Sequence, residues 1–232
     1  MVRFFIVIIS CFFLILYYVP KMSYYARHGE KYDEETCYRM AQVMIEHVKK
    51  RGRIETVASG MENLPTEGGY IMFANHQGKY DALGVISVHE KPCTYVMDAK
   101  RSHLFIVTQL CELLKAKRLD KTDLRQQVQV INDVATEVKA GRRYILFPEG
   151  GYDHNHNSLR GFLPGSFKIA QKAKCPIVPV VLYDSFKPFE GKSFRKVITQ
   201  LHFLPPIPYE TFADMKTYEI CLLYTSDAAD EL

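Results

Sequence analysis

The sequence predicts an α/β fold: a mostly parallel central sheet flanked by helices, with an N-terminal membrane-anchoring helix. Three observations predict it. Short runs rich in Val, Ile, Phe and Tyr alternate with stretches of helical periodicity. Two of those runs, Tyr70 to Ala74 and Tyr144 to Phe147, are apolar throughout, as strands covered on both faces are. The opening residues form a single apolar run that belongs to neither pattern. The 232 residues suit one large domain plus an anchor. With 47% hydrophobic and 24% charged residues, disordered, collagenous and disulfide-held miniprotein classes are excluded.

The apolar run extends from Phe4 to Val19 and is interrupted only by Ser10. As a helix it spans about 24 Å. Tilt and the interfacial Tyr17 and Tyr18 bring that within reach of a ~30 Å hydrocarbon core. The run is long for a signal peptide, and Tyr24-Tyr25-Ala26 is no cleavage site, so a retained anchor is expected over residues 1–20. Lys21, Arg27 and Lys31 follow the run and only Arg3 precedes it, which places the main domain in the cytoplasm, at the cell membrane.

Residues 21–52 read as an amphipathic helical linker. Cys37, Met40, Ala41, Met44, Ile45 and Val48 share one helical face between Asp33 and Arg51, with Gly52 as C-cap. The main domain covers 53–220. Strands are expected at Arg53 to Ser59, Tyr70 to Ala74, Cys93 to Met97, Lys117 to Leu119, Tyr144 to Phe147, Ile177 to Tyr183 and Val197 to Phe203. Helices are expected at Asp81 to Val88, from a Ser102 cap to Lys115, and at Gly165 to Lys174. The clearest helix runs from Thr122 to Gly141, with an apolar stripe of Leu124, Val128, Ile131, Ala135 and Val138.

The segment 221–232 stands apart. Cys221 to Glu231 resembles the in-frame translation of a transposase-type sequencing adapter, so it is set aside as non-native. Without Asp227, Asp230 and Glu231 the net charge of +4 becomes +7. A basic domain behind an anchor suits an anionic membrane surface or phosphorylated substrates. The six cysteines are scattered without a C-x-x-C pair, which predicts reduced, buried thiols.

Two motifs carry chemistry. The first is His76 to Asp81, an H-x-x-x-x-D pattern between an expected strand and helix. A His can take a proton from a hydroxyl if its other ring nitrogen is held, and an Asp a few residues on can hold it. The second is Phe147-Pro148-Glu149-Gly150-Gly151, at the end of a strand, where open α/β sheets carry their sites. Its glycines allow close backbone approach and offer N–H groups to an anion.

Together, Asn75 to Asp81 (N-H-x-x-x-x-D) and Phe147 to Gly150 (F-P-E-G) resemble the glycerolipid acyltransferase family. Phe162, Gly165 and Ala170, and Val178-Pro179-Val180, extend the resemblance across roughly Glu55 to Pro208. It implies transfer of an acyl group from acyl-CoA or an acyl-carrier protein to lysophosphatidic acid, among membrane phospholipids, with no metal or redox cofactor. It implies His76 as general base, Asp81 as its orienting partner, and Glu149, Gly150 and Gly151 in the acceptor pocket. The family continues F-P-E-G with Thr-Arg-Ser, whose Arg grips the substrate phosphate; here Gly151, Tyr152 and Asp153 stand there. Leu119-Asp120-Lys121 resembles the family's I-D-R element, so phosphate binding is expected to fall to Lys121, Arg118, Lys79 or Arg160.

Two other classes compete. Asp153-His154-Asn155-His156, with His76, offers three nitrogens for a metal-dependent hydrolase. A non-catalytic membrane module fits the basic balance but not the placement of both motifs at strand ends. No basic-aromatic patch suggests nucleic acid. His28, His47, His89, His103 and His202 lack carboxylate or His patterning and read as structural or surface residues.

Overall fold

The computed structural model describes residues 2–229. In chain order the elements are α1 (Val2–Ser10), α2 (Phe12–Arg27), α3 (Glu34–Gly52), β1 (Ile54–Ser59), β2 (Ile71–Ala74), α4 (Asp81–Val88), β3 (Thr94–Asp98), α5 (Ala99–Ser102), α6 (Val107–Leu113), β4 (Lys117–Leu119), α7 (Leu124–Lys139), β5 (Tyr144–Leu146), α8 (Lys168–Ala173), β6 (Ile177–Tyr183), α9 (Lys187–Glu190), β7 (Val197–Phe203), α10 (Tyr209–Phe212) and α11 (Thr217–Ala229). The sheet order is β1-β7-β6-β2-β5-β3-β4. All neighbours are parallel except β6 and β7, so the sheet is mostly parallel, as the alternation of strands and helices predicts.

Side chains on the central strands alternate between two covered faces. On β2, Met72 and Ala74 pack with Tyr38 and Ile45 of α3, Val85 of α4 and Leu110 of α6. Ile71 and Phe73 point the other way, to Val134 and Val138 of α7, Phe167 and Ile169. The period of two and the apolar run of β2 are therefore one observation: both faces of the sheet are roofed by helices.

Four expectations need correction. The apolar N-terminal run is not a single helix. It breaks at Cys11 into α1 and α2, bent by 72°. No single helix among the described residues is long and apolar enough to cross a membrane, while the bent pair passes on length and composition. Arg3 is fully buried. Its guanidinium donates to the carbonyls of Pro188 at 2.9 Å, Ser193 at 2.8 Å and Arg195 at 2.8 Å, and to that of Gly52. α1 is thus tied to α9 and the turn before β7. We expect Arg3→Ala to lower stability by about 2–4 kcal/mol, because it strips several buried carbonyls of a charged donor. The drop is checked by the thermal midpoint of the detergent-solubilised protein; an unchanged midpoint would mean that α1 is not docked.

Gly52 is the last helical residue of α3 rather than its cap. The cap is Arg53, in the left-handed region. A Cβ on Gly52 would lie 2.9 Å from Ile54 Cδ1 and 3.4 Å from Val7 Cγ2, so the glycine lets α1 approach closely. The helix expected from Ser102 to Lys115 is two pieces, α5 and α6, because Ile106 takes a φ of 74° between them. On α7 the buried residues are Val130, Val134, Ala135 and Val138, while Leu124 and Val128 face outward. The helix packs on α8 and β4, which rotates the expected stripe.

Cys11, Cys37, Cys93, Cys111 and Cys175 are buried free thiols. His89 is a buried structural residue: Nδ1 meets the Lys91 carbonyl at 2.6 Å, and Nε2 the Tyr70 hydroxyl at 2.7 Å. Burial pushes its pKa down to about 4. α11 enters the segment read as adapter translation, where Tyr224 is buried and donates to the Phe73 carbonyl at 2.7 Å. Residues 230–232 of that segment lie outside the described residues.

Candidate active site

β2 and β5 are direct neighbours, with Phe73 opposite Leu146. Each strand ends into one of the two motifs, so His76 and Glu149, distant in sequence, leave the same edge of the sheet together. This is the carboxyl edge of parallel strands, where open α/β folds place their sites. β6, on the other side of β2, helps to hold the first motif. Asn75 accepts from the Leu182 N–H at 2.7 Å and donates to its carbonyl at 2.9 Å. Gln77, also buried, donates to the same carbonyl and accepts from the Ser185 N–H at 2.8 Å.

His76 and Asp81 are in contact. His76 Nδ1 lies 2.6 Å from Asp81 Oδ2. The same oxygen accepts from the backbone N–H of Gln77 at 2.6 Å and of Gly78 at 2.9 Å. Asp81 is fully buried at the start of α4, and its Oδ2 is the acceptor shared by the turn and the imidazole. A carboxylate accepts only, which assigns the proton to Nδ1 and leaves the Nε2 lone pair for chemistry. The imidazole stacks on Phe147 at 4.3 Å and meets the Tyr152 ring edge-on at 4.7 Å. Its side chain remains 18% exposed, so one side of it is open.

Glu149 ties the two loops. Its Oε1 accepts from the His76 N–H at 2.8 Å and its Oε2 from the Arg160 N–H at 3.2 Å. Burial raises the pKa of this carboxyl, against the pull of those two N–H groups. The carboxylate thus holds loop backbone. Gly150 and Gly151 take φ values of 68° and 155°, and a Cβ on Gly150 would lie 2.7 Å from Leu163 Cδ1. Only glycine turns the chain there without strain.

The four cations expected near the acceptor phosphate separate into two groups. Lys121 Nζ pairs with Asp98 at 3.0 Å and sits 3.7 Å from where a Cβ on Gly151 would be. Arg160 donates to the Gly151 carbonyl at 3.3 Å. These two border the glycine turn. Arg118 is held by the Ser102 hydroxyl at 3.1 Å and Glu112 at 3.9 Å, and Lys79 lies over the Phe4 ring on α1. His154 and His156 do not join His76: both turn to Glu190, and His156 stacks on Phe186. Among the described residues no group of three His, Cys, Asp or Glu side chains is placed to hold a metal ion. The three-nitrogen arrangement of the hydrolase alternative is therefore not formed.

Sequence reasoning noted Tyr152 only as standing in the place of the family Arg, and missed Arg101 and Asn155 as parts of the site. Arg101 lies over the Tyr152 ring at 4.9 Å, and Asn155 Nδ2 donates to the His76 carbonyl at 3.3 Å. Local signals existed for Tyr152, directly after the second motif, and for Asn155, in the Asn-rich loop that follows, but not for Arg101.

A family model described as Acyltransferase matches residues 55–183, a stretch that holds both motifs. The human 1-acyl-sn-glycerol-3-phosphate acyltransferase alpha is 30% identical over 178 residues, covering 74% of this chain and 62% of that protein. The 1-acyl-sn-glycerol-3-phosphate acyltransferase of Saccharomyces cerevisiae is 27% identical over 177 residues, covering 75% and 58%. The chain thus spans about three fifths of the length of these relatives. The crystal structure of the 1-acyl-sn-glycerophosphate (LPA) acyltransferase PlsC from Thermotoga maritima is similar in fold, with a TM-score of 0.74 at 17% identity. The match covers 99% of this chain and 97% of that one. More than half of the sequence lies within the matched model, and on that basis the chain belongs to the acyltransferase family.

Proposed function

We propose that this protein transfers a fatty acyl group from an acyl thioester to the sn-2 hydroxyl of 1-acyl-glycerol-3-phosphate, giving phosphatidic acid. The donor is acyl-CoA or an acyl-carrier protein. The observation that carries this reading is the His76–Asp81 contact at 2.6 Å beside the F-P-E-G turn. The names of the curated relatives support the choice of acceptor.

Nε2 of His76 takes the proton of the acceptor hydroxyl as its oxygen attacks the thioester carbonyl. Asp81 holds Nδ1–H and stabilises the imidazolium that forms. The tetrahedral intermediate collapses with expulsion of the thiolate, which recovers the proton from His76. The hydroxyl attacks the donor directly, so no acyl group is ever attached to the protein. Glu149 fixes the loop amides that frame this chemistry.

The reaction takes place at the cytoplasmic face of the cell membrane. Phe5 and Ile9 of α1 and Phe12, Phe13 and Leu16 of α2 are exposed, and this apolar surface supports contact with lipid without a straight span. An acceptor panel tests the proposal. Membranes carrying the protein are given labelled acyl-CoA with 1-acyl-glycerol-3-phosphate, glycerol-3-phosphate or lysophosphatidylcholine. Label entering phosphatidic acid above the other products is expected. Label preferring another acceptor would replace the proposed one.

A further inference from the structure

Arg101 has no role in the mechanism above, yet it stands beside it. It belongs to the short α5, whose first N–H groups are capped by Asp98. Its guanidinium is exposed and rests over the Tyr152 ring at 4.9 Å. That ring in turn meets His76 edge-on at 4.7 Å. Of the other cations nearby, Lys121 pairs with Asp98 and Arg118 with Glu112, while Arg160 donates to the Gly151 carbonyl. Arg101 pairs with no carboxylate among the described residues. An aromatic face fixes the direction of a guanidinium without neutralising it, which leaves its N–H fork available to an anion.

The spacing leaves room for the acceptor. The two ring contacts put the guanidinium carbon within about 10 Å of the imidazole. A hydroxyl on the carbon next to a phosphorylated one lies about 4–5 Å from the phosphorus, so one acceptor can reach both groups through hydrogen bonds of about 3 Å. Lys121 and Arg160 border Gly151, the residue before Tyr152, and add positive potential there.

We propose that Arg101 binds the phosphate of the acyl acceptor, with Tyr152 as the positioning residue that holds its guanidinium toward His76. The inference rests on the acceptor named under the proposed function. It makes the Arg101–Tyr152 pair the determinant of a phosphomonoester acceptor.

The test uses the full chain in membranes, with 1-acyl-glycerol-3-phosphate and the phosphate-free 1-acylglycerol as acceptors. Arg101→Ala is expected to raise KM for the phosphorylated acceptor about tenfold or more, with kcat within about threefold, and to leave the phosphate-free acceptor unchanged. Tyr152→Phe keeps the ring and is expected to behave as wild type; Tyr152→Ala is expected to follow Arg101→Ala. An unchanged KM in Arg101→Ala, or equal losses on both acceptors, would overturn the inference. A second arm, equilibrium binding of glycerol-3-phosphate, separates this from the proposed function. If wild type acylates neither acceptor, the proposed acceptor is wrong. Binding of glycerol-3-phosphate weakened by Arg101→Ala still supports the anion site, and equal binding overturns it.

Discussion

His76→Ala is expected to lower acyl transfer by about 10³-fold with the protein still folded. The imidazole is 18% exposed, so truncating it leaves no deep cavity. The loop around it is held from other points. The His76 N–H donates to Glu149, its carbonyl accepts from Asn155, and neither contact involves the imidazole. What disappears is the proton acceptor. Without it the hydroxyl attacks undeprotonated, and the loss falls on kcat while KM stays within about threefold. Circular dichroism and the thermal midpoint check the fold, and product formation checks the chemistry. A variant that kept more than a tenth of the wild-type rate would remove His76 from the proton transfer.

Asp81→Asn is expected to cost about 10²–10³-fold in kcat. The mechanism of the loss is specific to this geometry. Asp81 Oδ2 accepts from three donors at once: the imidazole and the N–H groups of Gln77 and Gly78. An Asn amide oriented with NH2 at that place would face all three, so its oxygen must occupy it instead. The tautomer of His76 is then preserved and only the negative charge is lost. In a buried site that charge is what stabilises the imidazolium in the transition state. Asp81→Asn should therefore keep its fold and its KM and lose turnover. Asp81→Ala should also lose stability, because the backbone N–H groups of Gln77 and Gly78, in the turn before α4, lose their acceptor.

Much of this site was legible in the sequence because its parts are local. His76 and Asp81 are five residues apart, and a turn between a strand and a helix brings them together. The Gly150-Gly151 turn announces itself through residue type. The strands were legible for the same reason: apolar runs of four to seven residues, such as Ile177–Tyr183, have no other place to go than a covered sheet. The contacts that escaped detection are set by topology. That β2 lies beside β5 decides that Glu149 reaches the His76 N–H, and no local pattern records strand order. Arg101 meets Tyr152 because β3 lies beside β5, which sets their carboxyl ends together.

The N-terminus shows what local pattern leaves open. Its apolar run is a correct observation with more than one structural outcome. In this fold it forms two helices bent at Cys11, and Arg3 ties the first of them to the carbonyls of Pro188, Ser193 and Arg195, far along the sequence. The apolar stripe of α7 failed for a smaller reason. Periodicity finds a helical face, but the neighbours α8 and β4 choose which side of it is covered, and they leave Leu124 and Val128 exposed.

The central claim is that the acceptor hydroxyl, deprotonated by His76, attacks the donor directly. It is tested most directly by following an acyl label from its thioester in wild type and in His76→Ala, recording both lipid products and intact protein mass. The predicted result is label in phosphatidic acid with wild type, nearly none with His76→Ala, and no acyl adduct on either protein. Equal product from both proteins, or a labelled protein that passes its acyl group to the acceptor, would contradict the account.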